Sequence, residues 1–311
     1  LNGLGEIADG RGDFERAALL YEEALAIYRA TGLRRESAGA LNNLATIAYY
    51  QGNIDRATKL WEEALRIFRE LEDLWATGAL LGNLGVAAMV VEDFDRAVAL
   101  QEENLAIARL LKAQGTIGQV LSNLAEALLM RGDGDQDALL SEALDLHRET
   151  NDRQGEVCTL TLMAASALGR GDIRQAARCY AESLSLCHDI GDRATMAHIA
   201  LLERIAELAL ASMQPSPAAR LLGASEALRE ELGAPIMPYL QPVRDDCLEQ
   251  VDARLDASLA AAALTAGRAM SGCAVVDEAL AICRRAAVDP TARRTRRSPS
   301  LPRVTSRTAS P

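Results

Sequence analysis

Apolar residues recur at steps of three and four along most of the chain, the spacing that places them on one face of an α-helix. Residues 41–68, LNNLATIAYYQGNIDRATKLWEEALRIF, show this pattern most clearly. They predict two amphipathic helices with a break at 51–53, where Gly52 can adopt the left-handed conformation that ends a helix. One helix pair cannot bury its apolar faces alone, so we expect copies of it alongside.

Copies of this unit recur about every 40 residues, with turns at 12–14, 52–54, 92–94, 132–134 and 171–173. Small residues flank most of these turns, and a large aromatic residue follows three of them nine positions later. We expect the small residues to let helices approach and the large ones to fill the space between pairs. The third copy departs most, because it has Glu92 for the turn glycine, Gln101 for the aromatic and Asn104 for a small residue.

These motifs resemble the tetratricopeptide repeat (TPR): an N-L-A or N-L-G opening, a small residue before the turn, then A-x3-aromatic-x2-A. The resemblance covers residues 1–211 and implies an all-α fold, a right-handed α-solenoid of about five to six helix pairs. It places repeats near 1–31, 36–71, 76–111, 116–150 and 155–190, and the start of a degenerate sixth at 194–211. We expect a degenerate repeat and helical cap at 212–283 and a disordered Arg/Pro/Ser tail at 284–311.

A second resemblance involves residues 217–235, PAARLLGASEALREELGAP, together with a later AGRAMS motif and a VVDEALA motif. They resemble the region that follows the repeats in large bacterial signal-transduction ATPases, which include LuxR-type transcriptional regulators. This resemblance covers about residues 210–283. It implies a parent protein with an ATPase core before the repeats and often a helix-turn-helix after them. Because the first helix is short compared with its copies, we expect the chain to be a fragment of such a protein.

Charge is distributed unevenly. The net charge is −11, but from residue 284 onward there are eight arginines and one aspartate, which leaves −18 on the rest. An acidic body argues against nucleic-acid binding by this fragment, and we expect DNA binding only through a domain that it lacks. The basic tail could contact nucleic acid or anionic lipid, but with no aromatic residue and no fold, a flexible tail or a frame artefact is the preferred interpretation.

Cysteine usage and hydropathy predict a cytoplasmic protein. The six cysteines show no CxxC motif, so we interpret them as reduced thiols that pack as small apolar residues. No signal peptide precedes the first repeat, and no apolar run reaches membrane-spanning length.

The motifs of catalysis and metal binding are missing from the sequence. It contains no GxxxxGK[ST], GxSxG, GxGxxG or HExxH. Asp133, Asp135 and Asp137 have the spacing that opens a calcium loop, but Ala138 stands where glycine is needed and Leu144 where a bidentate glutamate belongs. We therefore predict no catalytic, cofactor-binding or metal-binding residue, and a protein that is not an enzyme.

The candidate partner-binding residues are Asn43, Asn83 and Asn123, which occupy one repeat position 40 residues apart. A side-chain amide both donates and accepts hydrogen bonds, so a row of them can hold an extended peptide backbone. The resemblance to TPRs places this position in the concave groove. The alternative is that these amides hydrogen-bond neighbouring helices.

Two hypotheses for function follow. In the first, the repeats are a sensor or interaction module that binds a protein, a peptide or a small inducer and thereby biases the ATPase of a transcriptional regulator. In the second, they form a scaffold or assembly adaptor with no link to transcription. Neither requires a cofactor or a membrane.

Overall fold

The structure is a computed structural model that describes residues 1–9, 13–133, 136–190, 196–233 and 241–288. Within these ranges the chain forms fifteen α-helices and no strand, which confirms the predicted all-α class. The helices are α1 Asn2–Asp9, α2 Phe14–Thr31, α3 Arg34–Tyr50, α4 Ile54–Glu70, α5 Leu74–Val90, α6 Phe94–Leu110, α7 Gln114–Arg131, α8 Asp137–Glu149, α9 Arg153–Gly169, α10 Ile173–Asp189, α11 Met196–Ala211, α12 Pro215–Leu232, α13 Gln241–Arg254, α14 Ala257–Arg268 and α15 Gly272–Val288.

Acidic or amide residues cap the helix that follows each of four predicted turns. The side chain of the cap accepts a hydrogen bond from the backbone N–H three residues later, which satisfies a donor that the first helical turn leaves free. The distance is 3.2 Å at Asp13, Asn53 and Asp93 and 3.0 Å at Asp172. The predicted turns therefore start helices through a specific side-chain bond.

Left-handed residues end the helices at regular intervals. After the helices α2, α4, α6 and α8, each the second of its pair, positive φ angles occur at Gly32, Glu72, Lys112 and Asn151. Glu92, the predicted departure from the turn glycine, has φ +59°. A residue with a Cβ adopts this conformation at a free-energy cost of about 1–2 kcal/mol, so the repeat geometry is imposed there against local preference.

The chain divides into two compact units, Leu1–Arg131 and Gly132–Pro311. In the first unit the helices α1 to α7 pack in sequence, so that each of the helices α2 to α6 contacts the helix before it and the helix after it. The small residues five positions after the turns, Ala17, Ala57 and Ala97, are fully buried, and the large residues Tyr21 and Trp61 are nearly so. Close helix packing in this unit therefore depends on the repeated small and large positions.

The third helix pair compensates for its unusual residues. Gln101 and Asn104 on α6 are buried, as the residues at the matching positions of the other pairs are. Opposite them α5 carries glycines: a Cβ added at Gly85 would lie 2.4 Å from Gln101 Nε2, and one at Gly78 would lie 3.0 Å from Asn104 Oδ1. The glycines of α5 make room for the two amide side chains of α6.

In the second unit, sequential stacking gives way to a returning helix. α9 packs on α8 and on α10, but α10 also contacts α15, and α15 contacts α11 as well. α12 packs on α11 and α14, and α13 lies against α11 and α12. The last described helix therefore covers apolar surface of α10 and α11, as a terminal cap of a repeat array must.

Helices α12 and α14 approach each other through two glycines. A Cβ added at Gly223 would lie 2.1 Å from the carbonyl oxygen of Leu264, and one at Gly267 would lie 1.9 Å from that of Arg220. These glycines belong to the LLGASEAL and AGRAMS segments on which the second resemblance rests. The crossing of the two helix backbones explains why both positions are glycine.

The predicted tail needs a correction at its start. The prediction begins the tail at residue 284, whereas α15 continues to Val288. The reason is that Ala286 is fully buried in the second unit, so the apolar face of α15 extends past the basic pair Arg284 and Arg285. The rest of the predicted tail, 289–311, lies outside the described residues.

Ion pairs connect the second helices of successive repeats in the first unit. Arg56 pairs with Glu22 at 2.7 Å and Arg96 with Glu62 at 2.5 Å, in each case reaching back one repeat. Both carboxylates are accessible to solvent and also join neighbouring repeats, and each exposed pair contributes at most about 1 kcal/mol.

Candidate functional site

A pocket of about 270 Å³ lies between α5, α6 and α7 in the first unit. Two of the predicted residues, Asn83 and Asn123, line it, together with the amides of Asn104 and Gln119. No acidic, basic or histidine side chain is among the described residues that line it. Its apolar wall includes Trp75, Val86, Ile107, Leu111 and Val120. We call this site the α5–α7 pocket.

The three candidate asparagines have different surroundings. All three are half-buried, but Asn43 does not line the α5–α7 pocket. Its Oδ1 accepts a long hydrogen bond of 3.4 Å from Asn42. Asn123 Oδ1 accepts a hydrogen bond of 3.0 Å from Gln119, which lies one turn earlier on α7. The structure therefore brings Asn83 and Asn123 to one pocket and leaves Asn43 outside it.

Asn42 is a polar contact that the sequence prediction missed. Its Oδ1 accepts hydrogen bonds from Trp61 Nε1 at 3.1 Å and from Asn83 Nδ2 at 3.3 Å. The second bond joins α5 to α3, so the alternative interpretation of the asparagines as helix-to-helix contacts applies to Asn83. Asn83 thus bonds a neighbouring helix with its amino group while lining the pocket.

Asn104 is the most unusual residue in the pocket wall. Its side chain is only 4% exposed, and its Oδ1 has no hydrogen-bond partner within the described chain. A buried acceptor without a partner costs about 1–3 kcal/mol. The sequence contained a signal for it, since Asn104 replaces a small residue of the repeat pattern, but the prediction treated that departure as a packing question.

Trp75 is the second residue that sequence reasoning missed. It lies in the first turn of α5 and remains 64% exposed, although its indole is the largest apolar group lining the pocket. The repeat pattern assigns no core role to this position, and that mismatch was the available signal. An exposed tryptophan beside a pocket is a frequent anchor for a binding partner.

Three titratable groups with strongly raised pKa values are not among the residues that line the pocket. Burial raises the pKa of the Cys247 and Cys283 thiols to about 12, and burial holds that of the Tyr180 phenol well above its ordinary value. All three belong to the second unit. At neutral pH these groups are uncharged, so they supply no nucleophile.

Potential metal ligands are not clustered in the part of the chain that the structure describes. No group of three or more His, Cys, Asp or Glu there could hold an ion. Of the calcium-like spacing, Asp135 lies outside the described residues, and Asp137 pairs with Arg170 at 2.8 Å. His147 Nδ1 lies 2.9 Å from Asp152 Oδ2, a local contact at the end of α8.

Among the helices of the described ranges, none combines the length and apolar character needed to span a membrane.

Comparison with known proteins assigns the N-terminal region to a class of helical repeats. Family models described as tetratricopeptide repeat match residues 1–31 and 36–109. The first part of the chain therefore carries tetratricopeptide repeats, a fold that acts in protein interaction. A search of curated proteins finds no match.

Solved structures of TPR proteins share the fold at low sequence identity. A Podosopora anserina protein with nearly identical TPR-like repeats, described as a kinesin light chain, is 17% identical with TM-score 0.52 and covers 61% of this chain and 94% of its own. BtubC (BKLC) from P. vanneervenii is 14% identical with TM-score 0.51, and the match covers 78% of this chain and 90% of BtubC.

A third solved structure belongs to a larger protein. It is the Signal Transduction ATPase with Numerous Domains (STAND) protein with a tetratricopeptide repeat sensor from Pyrococcus horikoshii. The match is 16% identical with TM-score 0.59, and covers 81% of this chain but 38% of the archaeal protein. At these identities the three similarities establish the fold alone.

Proposed function

We propose that this chain is the partner-binding TPR sensor of a bacterial transcriptional regulator, and that a partner in the groove alters the activity of an ATPase core outside this chain. The observation that carries the proposal is the α5–α7 pocket, in which Asn83 and Asn123 occupy matching repeat positions on two neighbouring first helices. Such a pair presents amide groups at the spacing of the repeat, which suits a partner that runs along the array.

The coupling follows from differential binding. A partner that binds one conformation of the regulator better than another shifts the population toward that conformation. The segments around Gly223 and Gly267 resemble the region after the repeats in LuxR-type ATPase regulators, and the Pyrococcus horikoshii STAND protein also joins a TPR sensor to an ATPase. Both similarities support a place for these repeats beside an ATPase core.

The experiment compares the parent regulator with versions that lack the first unit or are altered in the α5–α7 pocket. ATPase activity and reporter transcription are measured for the wild type, for a version without residues 1–131, and for the double variant Asn83→Ala, Asn123→Ala. We expect the deletion and the double variant to lose the response to inducing conditions. The matched control is Gln114→Ala, which removes an exposed amide of α7 that does not line the pocket.

Two outcomes separate the sensor from a scaffold. Loss of regulation in the double variant with normal regulation in the control supports sensing. Unchanged regulation after deletion of residues 1–131 contradicts the proposal and favours the scaffold hypothesis, in which the array joins proteins without reporting their presence.

A further inference from the structure

We infer that the α5–α7 pocket recognises an uncharged peptide segment that places an apolar side chain beside Trp75 and donates a hydrogen bond to Asn104. This inference rests on the proposed function and specifies the chemistry of its partner. Four observations carry it: an unsatisfied buried acceptor, the glycines around it, the lack of charge, and the size of the pocket.

The buried acceptor is Asn104 Oδ1. The side chain lines the pocket, is 96% buried, and its oxygen has no hydrogen-bond partner in the described chain. Buried polar groups in native proteins are nearly always hydrogen-bonded, so an exception in the wall of a pocket calls for a partner from outside. A ligand that donates an N–H or O–H there satisfies the acceptor.

Glycines keep the space around this acceptor open. A Cβ at Gly78 would lie 3.0 Å from Asn104 Oδ1, and one at Gly82 would lie 3.2 Å from Asn104 Nδ2. Both glycines are inside α5, where they weaken the helix relative to alanine. Two helix-weakening glycines and one unsatisfied amide thus share one wall, and such local conflicts are expected at functional sites.

The absence of charged side chains in the described pocket lining selects against ionic partners. Its described lining contains no ionised side chain, whereas a larger cavity of about 550 Å³ in the same unit is lined by charged residues of α4 and α6, including Glu62, Arg66, Arg69 and Arg96. An ion that enters an uncharged site loses hydration without gaining a counter-charge. The inserted group is therefore neutral.

A peptide fits the pocket better than a whole small molecule. Drug-sized ligands occupy pockets of about 300–1,000 Å³, and the 270 Å³ of this pocket suits one side chain with its adjoining backbone. Asn83 uses its amino group toward Asn42, and Asn123 uses its carbonyl toward Gln119. The side-chain oxygen of Asn83 can then accept a hydrogen bond from the N–H of an extended peptide, and the side-chain amino group of Asn123 can donate one to its C=O.

The experiment selects peptides on the full chain and maps their contacts. A phage-displayed library of random dodecapeptides is panned against the 311-residue protein, and enriched peptides are synthesised for titration. Trp75 provides a direct signal, because the other tryptophan, Trp61, is 97% buried. We expect bound peptide to shift Trp75 emission to the blue and to protect it from quenching by acrylamide.

Matched variants isolate the pocket. Asn104→Leu removes the acceptor, and its control Gln101→Leu replaces another buried amide with an unpartnered oxygen on the same helix but outside the pocket lining. Trp75→Ala removes the anchor, and its control Tyr50→Ala removes a similarly exposed aromatic outside the lining. We expect Kd to rise about tenfold or more in each pocket variant and less than twofold in each control.

Each outcome bears on a stated part of the inference. Enriched peptides with uncharged, apolar centres that respond as expected support it. Peptides with an acidic or basic consensus, or peptides that bind all variants equally, overturn the pocket assignment but leave the proposed function standing. If no peptide binds, while a panel of neutral small amides protects Trp75 from quenching, the partner class is wrong. If neither binds, the inference fails, and the proposed function is then decided by the deletion of residues 1–131 in the parent regulator.

Discussion

The contact between α12 and α14 gives the sharpest prediction for stability. Gly267→Ala adds a single methyl group at a place where an ideal Cβ would lie 1.9 Å from the carbonyl oxygen of Arg220. That oxygen belongs to the backbone, so no side-chain rotation can relieve the clash. The two helices must separate, or one of them must deform.

The magnitude follows from the geometry. Ordinary C···O contacts between helices lie at about 3.3–3.6 Å, so the backbones must move apart by about 1.4 Å. Gaps of about 0.5–1 Å already remove a quarter to a half of the dispersion energy at a contact, and overpacking of this kind costs about 1–3 kcal/mol. Because the clash is with backbone, we take the upper end of this range, about 3 kcal/mol. Alanine in a helix regains about 1 kcal/mol over glycine, so we expect a net loss of about 2 kcal/mol.

The assay is urea denaturation followed by far-UV circular dichroism, which reports the helices of both units. Gly39→Ala is the matched control, because Gly39 lies inside α3 and, apart from the adjacent backbone of that helix, no atom of the described chain lies within 4 Å of its added Cβ. We expect this control to stabilise its helix by about 0.5–1 kcal/mol. The two substitutions are chemically identical and should change stability in opposite directions.

The two variants together can refute the reasoning. If Gly267→Ala stabilises the protein as much as Gly39→Ala does, the close approach of α12 and α14 does not exist as described. A loss in both variants would show that glycine at these positions is needed for some reason other than helix contact. Only a loss at Gly267 with a gain at Gly39 agrees with the structure.

Three further predictions concern a turn, a buried ion pair and the thiols. Glu92→Gly should raise the free energy of unfolding by about 0.5–1 kcal/mol in urea denaturation, because φ at this position is +59°; an unchanged midpoint would contradict it. Glu203 pairs with the buried Arg229 at 2.7 Å and with a second buried arginine, so Glu203→Gln should cost about 3–5 kcal/mol, and a variant as stable as wild type would count against a structural role for the pair. Burial raises the pKa of the Cys247 and Cys283 thiols from 9.0 to about 12, so their contribution to stability is complete below pH 9 and is lost as pH rises from 9 to about 12. Iodoacetamide at pH 8 should therefore label the exposed Cys273 first, and mass spectrometry showing early modification of the other two would refute this.

The helical repeats could be predicted because their signals are local. Caps such as Asp93 and Asp172 act on a backbone group three residues away, and the left-handed glycines act at their own positions. Each of these features needs only a few consecutive residues. Because the period is fixed, the helix prediction in each copy is reinforced by the same pattern in the others. The all-α fold could therefore be predicted from the sequence.

The approach of α12 to α14 could not be predicted in this way. Gly223 and Gly267 are 44 residues apart, and nothing in their local sequence says that each faces the backbone of the other helix. A glycine within a helix is equally compatible with an open position, as Gly39 shows. The pairing of helices decides the role of each glycine, and that pairing departs from simple sequential order in the second unit.

The candidate site was only partly predictable, for a related physical reason. Counting repeat positions found Asn83 and Asn123, because both occupy the same place in successive copies. It did not find Asn104, whose importance depends on the glycines of a different helix.

In the third repeat, α6 carries Asn104 where the repeat pattern has a small residue, and the glycines of α5 provide the space that its side chain needs. A substitution that had only relaxed the packing would leave the amide satisfied by its neighbours, yet among the described residues Oδ1 has no partner beside an uncharged pocket. A departure from the repeat pattern that is sterically compensated and leaves a polar group unsatisfied in the wall of a pocket therefore indicates binding better than the repeated positions do. Gln101 shares the first two features but lies outside the pocket lining, which is why it serves as the control. For this reason the comparison of Asn104→Leu with Gln101→Leu tests the site more directly than replacement of the asparagines at the repeated position.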